Sequence, residues 1–322
     1  MTVALVTGIT GQDGSYLAER LVAEGVEIHG LVRPGDPALS VLQDSCPGLF
    51  VHEGDLRDGA RLETLVLDLV PDEVYNLAGL SSVAESWGEP VLTAEVTGLA
   101  VARLLQASWS AQERTGRAVR FLQASSAEIF GNCDRVPQDE NTPLCPTSPY
   151  GAAKAYAHHL VSVYRSRGLH AVSTVLYNHE SPRRPPSFVT RKITAGAVAI
   201  ATGAATELVL GNLDVQRDWG WAPDYVDAMV RAMRHDRADD FVVATGEARS
   251  VRDFVAAAFS HVGIDDWTPF VRTDPAFGRP VEARMLVGDP SKAQNELGWT
   301  TTVGFDEMVR RMVEHDAHSS SR

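Results

Sequence analysis

Cysteine is scarce in this chain: Cys46, Cys133 and Cys145 are the whole complement of 322 residues. An odd count without paired spacing excludes a disulfide framework and offers no zinc site, so no metal is expected and a reducing cytoplasm fits best. Basic charge is also short, with 29 Lys and Arg against 42 Asp and Glu, for a formal net charge of -13. A nucleic-acid partner is normally met by a basic stripe, so that class is disfavoured. Any anionic ligand must instead be held by local arginines, lysines and backbone N–H groups. Long hydrophobic runs are missing too. The most apolar later stretch, Ile193 to Ala205, is short, rich in small residues and bracketed by Lys192 and Glu207, so no membrane span is expected. No charged-then-apolar leader precedes the strand-like segment in Met1 to Gly8, and no signal peptide is expected. Internal repeats and low-complexity segments are absent.

What is present is globular. Hydrophobic content of 44% and charged content of 22% sit near the averages for folded domains. Val3 to Thr7 predicts a strand, and Tyr16, Leu17, Leu21 and Val22 recur at helical spacing until Gly25. Strands follow at Val26 to Val32, Leu49 to His52, Glu73 to Leu77, Arg120 to Ala124 and Ala171 to Leu176. Helical patterns lie between them at Arg61 to Leu69, Leu92 to Ala107 and Ala152 to Ser166. That alternation predicts an α/β fold, a doubly wound parallel sheet of Rossmann type. The pattern loosens through Ser181 to Arg217 and resumes at Tyr225 to Met233 and Phe241 to Ala244, with a last helix near Phe305. We therefore expect a dinucleotide-binding domain, 1–177 with 218–248, and a smaller discontinuous α/β domain, 178–217 with 249–322.

Gly8, Gly11 and Gly14 stand at the junction of the first strand and its helix. The helix start carries unpaired N–H groups and partial positive charge, and glycines let a pyrophosphate come close, so the pattern points to a dinucleotide. At the end of the second strand, where an acid would serve the ribose hydroxyls of NAD, the chain has Arg33, which suits the extra phosphate of NADP; as an alternative, Arg33 is a solvated surface residue. Asp55, past the third strand, either accepts from the adenine amino group or caps the following helix.

Tyr150 and Lys154 form Y-x-x-x-K one helical turn apart, so an ammonium stands near a phenol and favours its phenolate. Ser125, Ser126 and Glu128 follow the end of a strand, where ligands of open α/β sheets bind. Singly, Ser126 reads as a turn residue and Glu128 as a helix-cap carboxylate. Together the set supplies hydroxyl, carboxylate, phenol and ammonium, enough to oxidise an alcohol and move a second proton.

The chain resembles the GDP-mannose 4,6-dehydratase family from end to end, within the extended short-chain dehydrogenase class. The likeness is carried by V-T-G-I-T-G-Q-D-G-S-Y-L-A-E at Val6 to Glu19 and S-P-Y-G-A-A-K at Ser148 to Lys154. More particular are N-H-E-S-P-R-R at Asn178 to Arg184, F-V-T-R-K-I-T at Phe188 to Thr194, R-D-W-G at Arg217 to Gly220 and G-D-P-S-K-A at Gly288 to Ala293. The resemblance implies a hydro-lyase that turns GDP-mannose into GDP-4-dehydro-6-deoxymannose with NADP, working as a homo-dimer or homo-tetramer. It implies Ser126, Glu128, Tyr150 and Lys154 as catalytic residues. Gly8, Thr10, Gly11, Gln12, Asp13, Gly14, Arg33, Asp55, Leu56, Leu77, Ala78, Lys154, His179 and Arg184 are implied at the cofactor. Ser81, Ser126, Glu128, Asn178, Lys192, Arg217, Arg279 and Glu282 are implied at the substrate. The chain departs from the family at Pro34, Gly35 and Asp36, where a second basic residue and a serine-rich arm are usual; that change bears on tetramer formation and on strict NADP preference. It departs also at Gly79, Leu80, Ser82 and Phe130. The alternatives are a GDP-sugar reductase or epimerase of the same fold, and a non-catalytic dinucleotide sensor. Glu128 separates the first, since oxidation or reduction at one carbon needs no carboxylate to move a carbon proton.

Overall fold

The computed structural model describes residues 1–277, 281 and 285–320. Strands β1 (Val3–Thr7), β2 (Glu27–Val32), β3 (Phe50–Glu53), β4 (Glu73–Asn76), β5 (Arg120–Ala124) and β6 (His170–Leu176) come first. They are followed by β7 (Asn178–Glu180), β8 (Leu208–Leu210), β9 (Gln216–Arg217), β10 (Trp219–Trp221) and β11 (Asp240–Val243). Helices α1 (Gln12–Ala23), α2 (Leu39–Ser45), α3 (Gly59–Leu69), α4 (Val83–Ser86), α5 (Pro90–Thr93), α6 (Ala100–Thr115) and α7 (Pro149–Ser166) alternate with the first six strands.

Seven strands form one parallel sheet in the order β11-β6-β5-β4-β1-β2-β3. The order reverses direction between β1 and β4, which opens a crevice at their carboxyl ends. Both faces are covered, as the near-continuous apolar strands require. Leu17 and Leu21 of α1 pack on one face, and Leu62 of α3, Leu104 of α6 and Val161 of α7 on the other. A buried polar chain fixes the strand ends beneath the crevice: the Thr7 hydroxyl donates to Asn76 (2.5 Å), Asn76 to Gln123 (2.7 Å) and Gln123 to the Ala124 carbonyl (2.8 Å). Because every member is partnered, the chain sets register across β1, β4 and β5 without leaving an unsatisfied group.

The loosened region is more regular than its sequence. Helices α8 (Val189–Ala201), α9 (Ala222–Arg234), α10 (Val251–His261), α11 (Ser291–Leu297) and α12 (Phe305–Ser320) complete the fold. The helical periodicity of α8 is blurred by small residues, and Gly196 at its centre costs roughly 1 kcal/mol relative to alanine. The cause is packing: a Cβ at Gly196 would come within 2.9 Å of Leu208 on β8. Helix α10 opens on a capping box, Ser250 with Asp253, a start signal that lay unused in the sequence. Helices α8, α10 and α12 enclose a second core around Phe254, Phe259, Met308 and Met312. The two cores cross the sequence boundaries. Trp219 and Trp221 of β10 pack into the second core, while Ala293, Leu297 and Trp299 pack into the first. Asp218 joins the segments, accepting from the Thr245 N–H (2.8 Å) and hydroxyl (2.7 Å) and from the Gly246 N–H (2.9 Å). Burial pushes its carboxyl up to about 6, against those hydrogen bonds. No described helix is long and apolar enough to cross a membrane.

Candidate active site

The glycine turn fits a dinucleotide for steric reasons. Gly8 has φ +70, and a Cβ there would lie 2.8 Å from the Ala78 backbone; one on Gly14 would lie 2.2 Å from the Gly8 carbonyl oxygen. Gly11 stands at the N-cap of α1 and offers no side chain to the first N–H groups, which leaves them for an anion. Ala78 donates its N–H to Thr7 (3.3 Å), so the β4 end is held against the turn. Gln12 is buried, and its amide bonds the His179 carbonyl (3.1 Å) and the Ser181 hydroxyl (2.8 Å), tying the turn to β7. Asp13 pairs with His179 Nε2 at 2.8 Å. Burial would raise the Asp13 carboxyl, but the His179 charge and hydrogen bond outweigh it and hold it below its usual value. The histidine is raised in return, although burial opposes this.

On the adenosine side, Arg33 is exposed and Asp55 and Leu56 are half-buried. The N-cap of α3 is Asp58, whose side chain accepts from the Arg61 N–H, so the capping role considered for Asp55 is filled by its neighbour. Asp55 pairs with Arg57 at 2.6 Å. Its carboxyl is held down at about 2, chiefly by hydrogen bonds from Arg57, with a smaller contribution from the charge of Arg33.

The catalytic candidates converge at the ends of β5 and β6. Ser126 caps the single turn Ala127–Ile129, its hydroxyl accepting from the Glu128 N–H (3.3 Å). Ser148 caps α7 by accepting from the Gly151 N–H (3.0 Å), which sets Tyr150 in the first turn and Lys154 one turn on. Gly151 is required for this approach, since a Cβ there would lie 2.6 Å from the Glu128 carbonyl oxygen. Tyr150 and Lys154 are both buried. Lys154 Nζ donates to the Ala124 carbonyl (2.7 Å) and sits 5.7 Å from the centre of the Tyr150 ring.

Packing withdraws both groups from water. Burial pushes the Tyr150 phenol up to about 12; a hydrogen bond with Ser126 opposes the rise and the Glu128 charge adds to it. Burial also pushes the Lys154 ammonium down to about 8. Helical spacing places the two groups together, and desolvation disfavours the charged form of each. Ser125, also in the cavity wall, has a buried hydroxyl with no hydrogen-bond partner among the described residues.

Strand β7 pairs in parallel with β10, Asn178 opposite Trp219, and so brings the motif after β6 beside Arg217. His179 stacks on Tyr225 with ring centres 4.7 Å apart. Glu180 accepts from Thr190 (2.6 Å) and pairs with Arg184 (3.2 Å), whose guanidinium lies 3.9 Å above the Phe188 ring. The cavity has a volume of about 340 Å³. Its walls include Asp13, Leu77, Ser81, Ser126, Glu128, Tyr150, Lys154, Asn178, His179, Arg184 and Arg217. Lys192 is set back, its Nζ 4.1 Å from the ring centre of Phe277, which does reach the wall. Arg279 and Glu282 lie outside the described residues.

Several wall residues escaped the sequence reading. Phe188 and Thr190 lay inside a family motif, whereas Asn212 and Val215 sit in a connecting segment that carried no signal. Of the departures from the family, Phe130 is fully buried in the first core and does not line the cavity. Ser82 lines it and caps α4 through the Glu85 N–H (3.2 Å). A Cβ at Gly79 would make ordinary contacts, 3.4 Å from Thr97 and 3.9 Å from Lys154, so glycine there is not sterically required.

The model of one family, GDP-mannose 4,6 dehydratase, matches residues 5–312. The chain belongs to that family. It is 43% identical over 333 residues to GDP-mannose 4,6 dehydratase 1 of Arabidopsis thaliana, covering 99% of this chain and 91% of the relative. It is 42% identical over 342 residues to the human GDP-mannose 4,6 dehydratase, covering 98% and 91%. Among solved structures, UDP-glucose 4-epimerase of Thermus thermophilus in complex with NAD superposes with a TM-score of 0.82 at 29% identity, over 98% of this chain and 99% of that one. RMD from Pseudomonas aeruginosa, complexed with NADPH, shares the fold with a TM-score of 0.80 at 23% identity, over 99% and 100%. The GDP-mannose 4,6-dehydratase match takes in every residue of the cavity wall.

Proposed function

We propose that the chain is a nucleotide-sugar dehydratase that converts GDP-mannose into GDP-4-dehydro-6-deoxymannose and water. The observation that carries this reading is the gathering of Ser126, Glu128, Tyr150 and Lys154 in one cavity beside the crevice of the sheet. Oxidation at one carbon needs an acid/base group at the hydroxyl, and elimination needs a second one at the neighbouring carbon; this wall holds both. Near-complete coverage by relatives called GDP-mannose 4,6 dehydratases supports the substrate.

The glycine cradle, which a Cβ at Gly8 or Gly14 would fill, fits a nicotinamide dinucleotide. A nicotinamide dinucleotide held there would supply the hydride acceptor and donor for the redox changes at carbons 4 and 6. Gly8, Thr10, Gly11 and Gly14 shape the pyrophosphate turn with Gln12 and Asp13 behind it. Leu77 and Ala78 close the β4 side, His179 and Arg184 the far side, and Asp55 and Leu56 flank the adenine. Arg33, at the end of β2, supports NADP, because a guanidinium pairs with a ribose phosphate and gains little from a bare hydroxyl.

Tyr150 takes the proton of the 4-hydroxyl, with Ser126 hydrogen-bonded to the phenol and the Lys154 ammonium beside it. Glu128 then removes the proton from carbon 5, which the 4-keto group has acidified. The bond from carbon 6 to oxygen breaks, the leaving oxygen gains a proton and departs as water, and a second proton returns to carbon 5. Two protons leave the sugar and two are delivered, and the hydride lost at carbon 4 is matched by the one gained at carbon 6, so the reaction needs no outside oxidant or reductant. Asn178, Lys192 and Arg217 flank the nucleotide; Ser81 faces the sugar, and the family pattern adds Arg279 and Glu282.

Purified protein given GDP-mannose and no added cofactor is expected to form the keto sugar, and denaturation is expected to release NADP. Equal turnover of UDP-glucose or dTDP-glucose would overturn the guanine assignment, and release of NAD alone the cofactor assignment. We further take the enzyme to be at least a homo-dimer. Tyr156 and Val163, seven residues apart on α7, and nearby Leu99 are all exposed, an apolar strip that a second copy would cover. A monomer mass by light scattering rules this out.

A further inference from the structure

The loop after β2 carries a cation, Arg33, and an anion, Asp36, three residues apart. Its turn is closed by the Asp36 N–H donating to the Arg33 carbonyl (3.2 Å), with Gly35 between them at φ +72. Asp36 does not follow Arg33 into solvent. One carboxylate oxygen accepts from the Thr10 hydroxyl (2.9 Å), in the middle of the glycine turn, and the other from the Ala38 N–H (3.0 Å). A carboxylate is thereby fixed between the pyrophosphate turn and the end of β2, where the adenosine ribose of a dinucleotide sits in this fold.

From this geometry we infer that Asp36 is a cofactor-specificity residue, accepting a hydrogen bond from the adenosine ribose hydroxyls and opposing a 2′-phosphate. The inference rests on the reading of Arg33 as the phosphate partner, and gives that reading a counterweight. Two groups of opposite sign act on the same ribose: Arg33 rewards the phosphate of NADP, and Asp36 rewards the free hydroxyl of NAD. The phosphate brings about two negative charges at neutral pH, so a fixed carboxylate beside it disfavours it, while a hydroxyl donates to the same carboxylate. The expected consequence is a site that takes both cofactors, with NADP ahead by a modest factor.

The decisive variant is Asp36→Asn. Its side-chain oxygen still accepts from the Ala38 N–H and its amide still bonds Thr10, so the loop is kept and only the charge is lost. Calorimetric titration of NAD and NADP into the full-length chain freed of bound nucleotide reads the ratio of the two dissociation constants. Removing this like charge is expected to shift that ratio toward NADP by about tenfold, with NADP tightened and NAD weakened. Arg33→Ala is expected to shift it about as far toward NAD. If Asp36→Asn leaves the ratio within twofold of the wild type while Arg33→Ala moves it, the inference is overturned and Asp36 is only a loop cap. If Arg33→Ala leaves the ratio unmoved while Asp36→Asn shifts it, the inference stands and the phosphate role of Arg33 falls. Asp36→Ser, which keeps an acceptor for Ala38, is read alongside, and melting temperatures of all variants confirm that the loop is folded.

Discussion

Tyr150→Phe is expected to lower kcat by roughly a hundredfold to ten-thousandfold, the usual cost of losing an acid/base group, and to leave no reduced nicotinamide absorbance after GDP-mannose is added. Hydride cannot leave carbon 4 unless the 4-hydroxyl gives up its proton, so this variant stops before the first redox step. The ring is buried at the start of α7 and is framed by backbone contacts: its N–H donates to Ser86 (3.3 Å), and the adjoining Gly151 rests against Glu128. Phenylalanine keeps that packing and removes only the hydroxyl, whose hydrogen-bond partner is Ser126. Substrate affinity should therefore change much less than turnover. Burial holds the free phenol near 12, so taking the 4-hydroxyl proton requires the phenol to ionise in the loaded site, where Lys154 Nζ stands 5.7 Å from the ring centre. Stopped-flow absorbance and product analysis test the assignment; activity within tenfold of wild type would remove Tyr150 from the proton-transfer role.

Glu128→Gln is expected to divide the reaction at its second half. Gln keeps the shape of the side chain and leaves the backbone contacts at Ser126 and Gly151 in place, but it cannot take the carbon 5 proton. This variant should still oxidise GDP-mannose in part, so bound reduced cofactor accumulates and is visible by absorbance. It should neither release water nor exchange the carbon 5 proton with deuterated solvent. The loss in overall turnover should again be roughly a hundredfold or more. Formation of the 6-deoxy product at a near wild-type rate would contradict the elimination role and take away the dehydratase reading's chief support from the site itself. Comparing the two variants is informative in a way neither is alone, because one blocks before hydride transfer and the other after it.

Much of the site was legible because its signals are local. The glycines at 8, 11 and 14 act within one turn, and Tyr150 and Lys154 are brought together by the pitch of a single helix. Strands such as β1, with its short apolar run from Val3 to Val6, announced the parallel sheet. Where local signals were weak the reading stopped short. Helix α8 was hidden by its small residues, of which Gly196 makes room for Leu208, and α10 was passed over despite its capping box.

The sequence by itself determined the sheet, the dinucleotide turn, the spacing of the catalytic pair and the family resemblance, since each depends on residues close together along the chain. Tertiary structure decided the rest. Asn178 and Arg217 face one cavity only because β7 pairs with β10, and Asp36 reaches Thr10 only because β2 lies beside β1. The charge states of Tyr150 and Lys154 likewise depend on how far packing removes them from water, a quantity that helical spacing does not contain. Pattern along a chain encodes which elements form, whereas desolvation and contact between distant segments arise only once those elements are packed.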